Sequence, residues 1–168
     1  MSRTLFLLLP ALMLQAGDSA IPNAVEVRSG VFILRGAPNP ALCAAMKKEH
    51  ITHVLDLRRD DEPDQDCQSE SSRLQDLGIL YQRYTLSKVP PASDFDFVRR
   101  LLRDLPRGSK IVVHCSNGNR AAAAVCSWLV MDKGVPVAEA LRIAQDAGLR
   151  VPETEAAVRR YLAARGRT

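Results

Sequence analysis

The stretch IVVHCSNGNRAAAAVC, residues 111–126, contains the features from which the fold of this chain can be inferred. Residues 110–114 form a short run rich in β-branched side chains after a glycine-containing turn, which predicts a buried strand. Residues 121–129 are rich in alanine and predict a helix. Between them lie six residues, from Cys115 to Arg120. The sequence therefore predicts a strand that enters a tight loop and leaves it as a helix.

A loop of this kind is typical of an anion-binding site. Its backbone N–H groups can converge on one point, and the N-terminus of the following helix adds a partial positive charge. Gly118 permits a backbone conformation that a Cβ would obstruct, and the guanidinium of Arg120 offers a planar fork of donors. In this electropositive setting we expect Cys115 to rest as a nucleophilic thiolate. The candidate binding residues are Ser116, Asn117, Gly118, Asn119 and Arg120.

The segment HCSNGNRA, residues 114–121, resembles the phosphate-binding loop of the cysteine-dependent phosphatases, the protein tyrosine and dual-specificity phosphatase superfamily. The usual pattern there is His-Cys, five residues and Arg, whereas four residues separate Cys115 from Arg120 here. The shorter loop and the segment EALRIAQDAGL, residues 139–149, are similar to a bacterial branch related to the beta-lactamase hydrolase-like proteins. The resemblance covers roughly residues 25–149.

The resemblance implies hydrolysis of a phosphomonoester, with phosphotyrosine as one candidate substrate. Cys115 would attack phosphorus and form a cysteinyl-phosphate, while Arg120 and the loop amides hold the equatorial oxygens. His114 would orient the loop and help to keep the thiol ionised; the alternative for this residue is an ordinary buried histidine. Neither a metal ion nor a cofactor is expected, since no cluster of ligands at metal-binding spacing is apparent.

Two positions depart from the pattern of the superfamily. Many members carry Ser or Thr directly after the arginine, where the hydroxyl eases departure of the thiolate, but this chain has Ala121. A general acid should also protonate the leaving oxygen, and the loop that often supplies it, here residues 87–91, contains no carboxylate. The candidates for this acid are Asp60 and Asp61, then Asp94, with Asp64, Asp66 and Asp96 as neighbouring carboxylates.

The strand predicted at 53–57 is followed by a strongly charged loop, RRDDEPDQDCQSE, residues 58–70. In α/β sheets, ligands bind beyond the carboxyl ends of parallel strands. If this strand lies parallel to the one before Cys115, the loop rims the same pocket. Arg58, Arg59 and Lys88 are candidates for that rim, although solvated surface charge is the commoner explanation.

Two other functions are compatible with the loop. The active loop of rhodanese-like sulfurtransferases also has four residues between Cys and Arg, and LDLR, residues 55–58, resembles a strand of that family. A persulfide on Cys115 would then replace the phosphoenzyme. The third hypothesis is a phosphate- or sulfate-binding module with little turnover, motivated by Ala121 and the missing acid.

The composition indicates one globular domain, residues 21–168, that binds an anionic substrate. The chain has 168 residues, of which 46% are hydrophobic, and a net charge of +4. That is enough material for a sizeable core. No basic run interleaved with aromatic residues suggests nucleic acid as a partner. The expected partner is a phosphorylated substrate of unknown identity, and the oligomeric state is left open.

Residues 1–20 have the pattern of a secretory signal peptide. Arg3 precedes an apolar run at 5–14, and small residues follow it near a possible cleavage site after Ala16 or Ala20. The run is too short to span a bilayer comfortably. We therefore expect a periplasmic or secreted protein without stable membrane insertion after cleavage; an uncleaved anchor is the alternative.

Export would place four cysteines in an oxidising compartment. Cys126 is expected to face the core. Cys43 and Cys67 could pair, all thiols could be free, or Cys67 could form a reversible disulfide with Cys115.

The remaining patterns predict an α/β fold with a mainly parallel central sheet and helices on both faces, as in the protein tyrosine phosphatases. Val25–Val27 and the run 31–34 predict a hairpin, and Asn39-Pro40 predicts a helix start. Ser93 and Asp96 have the form of a capping box with Asp in place of Glu. The other predicted strand is 79–86, and the other predicted helices are 41–49, 71–77, 93–105, 136–147 and 152–164.

Overall fold

The computed structural model describes residues 17–62 and 66–168. Six strands form one sheet within these residues. The strands are β1 (Gly17–Asp18), β2 (Ala24–Arg28), β3 (Val31–Arg35), β4 (His53–Asp56), β5 (Leu80–Arg83) and β6 (Ile111–Cys115). The helices are α1 (Pro40–Lys48), α2 (Cys67–Asp76), α3 (Ala92–Arg103), α4 (Asn119–Lys133), α5 (Val137–Ala147) and α6 (Pro152–Ala163).

The strand order is β1-β2-β3-β6-β4-β5. The strands β3, β6, β4 and β5 run parallel, and β1 and β2 add antiparallel pairs at one edge. Strand β6, which leads to Cys115, lies between β3 and β4 at the centre of the sheet. The prediction of a mainly parallel sheet is confirmed.

Helices cover both faces of this sheet, as predicted. Successive side chains of a strand point to opposite faces, so Val112 packs in a core with α1 and α2, whereas Val113 packs in a second core with α3 to α6. Cys115 belongs to the same face as Val113. His114 therefore points toward the layer of α1 and α2, away from the face of Cys115.

Two local predictions are confirmed by the backbone. The β2–β3 hairpin turns at Ser29-Gly30, where Gly30 has a positive φ of 79°. Helix α1 begins after Asn39, whose side chain accepts a hydrogen bond from the N–H of Leu42 at 2.9 Å. Asparagine followed by proline is a strong signal for a helix N-terminus because both residues suit the unpaired first turn.

The predicted capping box at Ser93 is wrong. Helix α3 begins at Ala92, so Ser93 already lies inside its first turn, and the cap residue Pro91 makes no side-chain hydrogen bond. Its first-turn carboxylate, Asp94, instead accepts a hydrogen bond from the hydroxyl of Tyr84 at 3.0 Å. Helix α2 also begins earlier than predicted, at Cys67, because the carboxylate of Asp66 caps it by accepting from the N–H of Ser69.

Residues 1–16 of the expected leader, and Asp64, lie outside the described residues. Gly17 and Asp18, which the prediction assigned to the leader, pair with Glu26 and Val25 in the sheet. No helix among the described residues is both long and apolar enough to cross a bilayer.

All four thiols are free in the structure, so the Cys43–Cys67 bridge that the sequence allowed is not formed. Cys43 lies buried in α1 and Cys67 stands half-buried at the start of α2. Cys126 is fully buried in the core, as predicted.

Candidate active site

Cys115 is the last residue of β6, and its side chain is fully buried at the base of the loop 116–118. Ser116 and Asn117 are exposed, and α4 begins at Asn119. The carbonyl oxygen of the Asn117 side chain accepts a hydrogen bond from the N–H of Asn119 at 3.1 Å and lies 3.9 Å from the Cys115 sulfur. The predicted strand, tight loop and helix are therefore present, with the thiol facing the start of α4.

Gly118 occupies the sharpest point of this loop. Its φ is +86°, and a Cβ built there would lie 3.1 Å from Cγ of Arg35 and 3.2 Å from the carbonyl oxygen of Ala147. We expect Gly118→Ala to lower the free energy of unfolding by about 1–3 kcal/mol, because a positive φ and a close backbone contact both oppose the new side chain. Thermal unfolding measures the change in stability. Phosphate release from an aryl ester measures whether the loop is still active.

Gly134→Ala is the matched control for this change. Gly134 ends the same helix α4 with a φ of +70°, but a Cβ there would meet nothing within 4 Å. Gly134→Ala is expected to cost less stability and to leave activity intact. Equal losses of stability and activity in both variants would contradict a specific role for the close packing at Gly118.

Asn119 holds the loop to the rest of the molecule. Its side-chain oxygen accepts hydrogen bonds from the N–H groups of Arg150 and Val151, both at 2.9 Å. Its side-chain amide donates to the Thr154 hydroxyl at 2.8 Å, which donates in turn to the carbonyl oxygen of Lys88. These contacts fix the Asn119 side chain. The sequence predicts that the backbone N–H of this residue contacts the bound anion, and in this structure that N–H donates to the Asn117 side chain.

Arg120 is buried at the first turn of α4 and points into the same site. One terminal nitrogen donates to the carbonyl oxygen of Leu86 at 3.0 Å, and the other donates to the Ser116 hydroxyl at 2.9 Å. Both nitrogens also pair with the carboxylate of Glu62. Although burial opposes the charged form, these bonds to Glu62 and the nearby Cys115 sulfur raise the pKa of Arg120 above its ordinary value.

Glu62 is the functional candidate that the sequence analysis missed. Its carboxylate accepts a hydrogen bond from the Ser116 hydroxyl at 2.6 Å as well as from Arg120 at 2.8 Å. Burial alone would raise the pKa of Glu62, but the hydrogen bonds from Arg120 and Ser116 outweigh it and lower the pKa to about 2. The guanidinium of Arg120 is therefore already paired with an anion, and that anion is the carboxylate of Glu62, a side chain of the protein itself.

A cavity of about 510 Å³ opens over this centre. Its charged lining comprises Arg59, Lys88 and Arg120 on the basic side and Asp61 and Glu62 on the acidic side. The strand β4 runs parallel to β6, and the charged loop after β4 reaches the same cavity. The expectation that this loop rims the pocket is confirmed, with Arg59 and Lys88 on the rim.

The structure places Asp60, Asp61 and Asp94, the first three of the carboxylates considered as general acids, in different surroundings. Asp60 is 79% exposed and pairs with Arg83 at 2.5 Å, away from the cavity lining. Asp94 is bound to Tyr84 and does not line the cavity either. Asp61 lines the cavity but is 74% exposed and pairs with Arg59 at 2.9 Å.

Arg58, a predicted rim residue, is instead buried in an ion-pair network under the sheet. Its guanidinium binds the carboxylate of Asp56 at 2.7 Å and that of Glu70, while the Tyr81 hydroxyl donates to Asp56 at 2.8 Å. Burial opposes the charged carboxylate of Asp56, but the hydrogen bonds from Arg58 prevail and hold its pKa well below the ordinary range.

His114 completes this network on the face opposite Cys115. Its Nε2 lies 2.9 Å from a Glu70 oxygen, although the two groups are not aligned as a hydrogen bond. One possible ligand atom from each of Asp56, Glu70 and His114 lies within 4.8 Å of the other two. Arg58 forms an ion pair with each of the two carboxylates and occupies the space between them, so this trio fits a buried ion-pair network rather than a cation site.

No protein-family model and no curated protein matches the chain. Solved structures do match it. A DUF442 protein from Shewanella putrefaciens CN-32 shares 18% identity over 86% of this chain and 92% of its own, with a TM-score of 0.71. Tk-PTP shares 17% identity over 83% and 96%, with a TM-score of 0.68. TpbA of P. aeruginosa, solved in complex with pTyr, shares 18% identity over 88% and 86%, with a TM-score of 0.66.

The fold is therefore that of the cysteine-dependent phosphatases of the protein tyrosine and dual-specificity type, as the resemblance of the loop implied. At 16–19% identity, the likeness to these structures concerns the fold.

Proposed function

We propose that the protein is a cysteine-dependent phosphatase that hydrolyses a phosphomonoester through a cysteinyl-phosphate intermediate. The observation that carries this proposal is the placement of Cys115 and Arg120 at the two ends of one tight loop, whose residues Ser116, Asn117 and Asn119 line a charged cavity together with Arg120. A simple anion-binding site has no need of a thiol at its base, whereas nucleophilic catalysis does.

In the first step, the Cys115 sulfur attacks phosphorus while the P–O bond to the leaving group breaks. Charge on the transferring phosphoryl group is held by the guanidinium of Arg120 and by loop amides near the N-terminus of α4. The bond from Arg120 to the Leu86 carbonyl keeps the guanidinium oriented before substrate arrives. Such preorganised donors stabilise a transition state without reorganisation.

In the second step, water attacks the cysteinyl-phosphate and phosphate leaves. The residue after Arg120 is Ala121, which is fully buried and has no hydroxyl to assist departure of the thiolate. We therefore expect breakdown of the intermediate to be slower than its formation, so that the phosphoenzyme accumulates during turnover.

Phosphotyrosine is one candidate substrate, and TpbA has been solved in complex with pTyr. The cavity of about 510 Å³ has room for an aryl phosphate, since small-molecule sites commonly span ~300–1,000 Å³. The periplasmic or secreted location likewise stays a proposal that depends on the leader-like sequence of residues 1–20.

The test is release of phosphate from 4-nitrophenyl phosphate by the purified, reduced protein, beside transfer of sulfur from thiosulfate to cyanide. The phosphatase account predicts phosphate release without sulfur transfer. Sulfur transfer that depends on Cys115, without phosphate release, would favour the sulfurtransferase. The absence of both phosphate release and sulfur transfer, with sulfate still bound, would favour the anion-binding module.

A further inference from the structure

The Glu62 carboxylate sits where the phosphate of a substrate has to bind. It takes hydrogen bonds from the Ser116 hydroxyl at 2.6 Å and from Arg120 at 2.8 Å, and it pairs with the second terminal nitrogen of Arg120 as well. Carboxylates and phosphates use the same planar fork of arginine donors. Substrate and Glu62 therefore compete for the same two residues.

This competition changes the pKa of Glu62, because the charged group beside its carboxylate changes when phosphate binds. With Arg120 as its partner, Glu62 is ionised down to a pKa of about 2. A phosphate that takes over Arg120 removes that cation and places negative charge beside the carboxylate, and two neighbouring anions strongly favour protonation of one of them. The pKa of Glu62 must then rise.

The other charged groups near Glu62 are less closely paired with it than Arg120 is. Arg59 belongs to the same loop, and its guanidinium lies 3.8 Å from Glu62 but 2.9 Å from Asp61, which it pairs with more closely. Lys88 reaches the cavity from the loop after β5, and the Cys115 sulfur interacts with Arg120 from below. Arg120 is thus the cation whose loss changes the pKa of Glu62 most.

We propose that Glu62 yields Arg120 and Ser116 to the phosphate group of the substrate, takes up a proton from solvent in exchange, and donates that proton to the leaving-group oxygen. The proposal deepens the phosphatase function and rests on it. It supplies the general acid that Asp60 and Asp94, bound elsewhere, do not supply.

The proton balance closes over one turnover. Solvent protonates the carboxylate as substrate binds. The Cys115 sulfur then forms its bond to phosphorus, the P–O bond breaks, and the leaving oxygen takes the proton and departs as a neutral alcohol or phenol. Glu62 is again a carboxylate. Water then attacks phosphorus, the S–P bond breaks, the Cys115 thiolate is restored, and one proton of that water returns to solvent as hydrogen phosphate forms. Glu62 returns to Arg120 when phosphate has left the loop.

Calorimetric titration with sulfate tests the exchange. Sulfate has no titrating proton near neutral pH, and Cys115→Ser removes the thiol from the balance. At about pH 5.5, in buffers of different ionisation enthalpy, we expect Cys115→Ser to take up a substantial fraction of a proton on binding sulfate. Cys115→Ser combined with Glu62→Gln is expected to take up none and to bind sulfate several-fold more tightly, because the competitor has lost its charge.

Kinetics with two esters tests the donation. Phenyl phosphate has a poor leaving group and needs an acid, whereas 4-nitrophenyl phosphate has a good one. Glu62→Gln is expected to lower kcat by about 10²-fold or more for the phenyl ester, and by far less for the nitrophenyl ester. Asp60→Asn removes the same charge from the same loop outside the cavity and serves as the control.

Equal losses with both esters, weaker sulfate binding in the Glu62→Gln background, or the absence of proton uptake would overturn the proposal and leave Glu62 as a fixed brace for Arg120. The phosphatase function would survive those results. If the phosphatase function itself were wrong, the result would be different, because the unmodified protein would then release phosphate from neither ester.

Discussion

Cys115→Ser is expected to reduce phosphate release by at least about 10⁴-fold, because a neutral hydroxyl replaces the nucleophile on which both chemical steps depend. The buried side chain at the end of β6 loses one sulfur and gains an oxygen of similar shape, so the fold should persist. Binding of sulfate should persist too, since Arg120 and the loop are untouched. The measurement is kcat with 4-nitrophenyl phosphate beside sulfate-dependent thermal stability.

Cys126→Ala is the matched control for loss of a buried thiol. Cys126 lies in the core within α4, and burial raises the pKa of its thiol to about 12, so it remains neutral. Its removal should lower stability modestly without lowering kcat of the folded protein. If Cys115→Ser kept a substantial part of the activity while Cys126→Ala lost it, the assignment of the nucleophile would be wrong.

Arg120→Lys is expected to lower kcat by about 10²–10³-fold even though it keeps the positive charge, because an ammonium cannot reproduce the planar fork. The side chain also orients itself on the Leu86 carbonyl and pairs with Glu62, so Arg120→Ala should cost stability in addition to activity. Measurement of kcat gives the loss of activity, and thermal unfolding of the same variants gives the loss of stability.

Arg142→Lys is the control for an arginine outside the site. Arg142 is half-exposed on α5 and pairs with Asp146 at the surface. Its replacement should change neither kcat nor stability appreciably, since exposed ion pairs contribute little. Retention of most of kcat in Arg120→Lys would show that the guanidinium does not hold the reacting phosphoryl group.

The centre of the site was predictable from sequence because it is local. Cys115, Gly118 and Arg120 lie within six residues, and strand, glycine turn and helix each leave a short-range pattern. The position of the charged loop was also predictable, since two parallel strands end at the same edge of the sheet.

The carboxylate that enters the site was not predictable from the same pattern. Asp60, Asp61 and Glu62 are adjacent and equally acidic, and which of them turns inward depends on partners far along the chain. Arg83 holds Asp60 outward, whereas Ser116 and Arg120, 54 and 58 residues from Glu62, draw that side chain inward. Glu70 and Arg58 are a similar case, because their pairing appears only when α2 packs on the sheet.

The measurement that tests the central claim most directly is acid quenching of the reaction with 4-nitrophenyl phosphate, followed by mass spectrometry of the peptide that contains Cys115. Because Ala121 offers no hydroxyl to speed hydrolysis, the account predicts a phosphoryl group on the Cys115 sulfur during turnover and none in Cys115→Ser. Phosphate release without any modified Cys115, or a phosphoryl group on another residue, would contradict it.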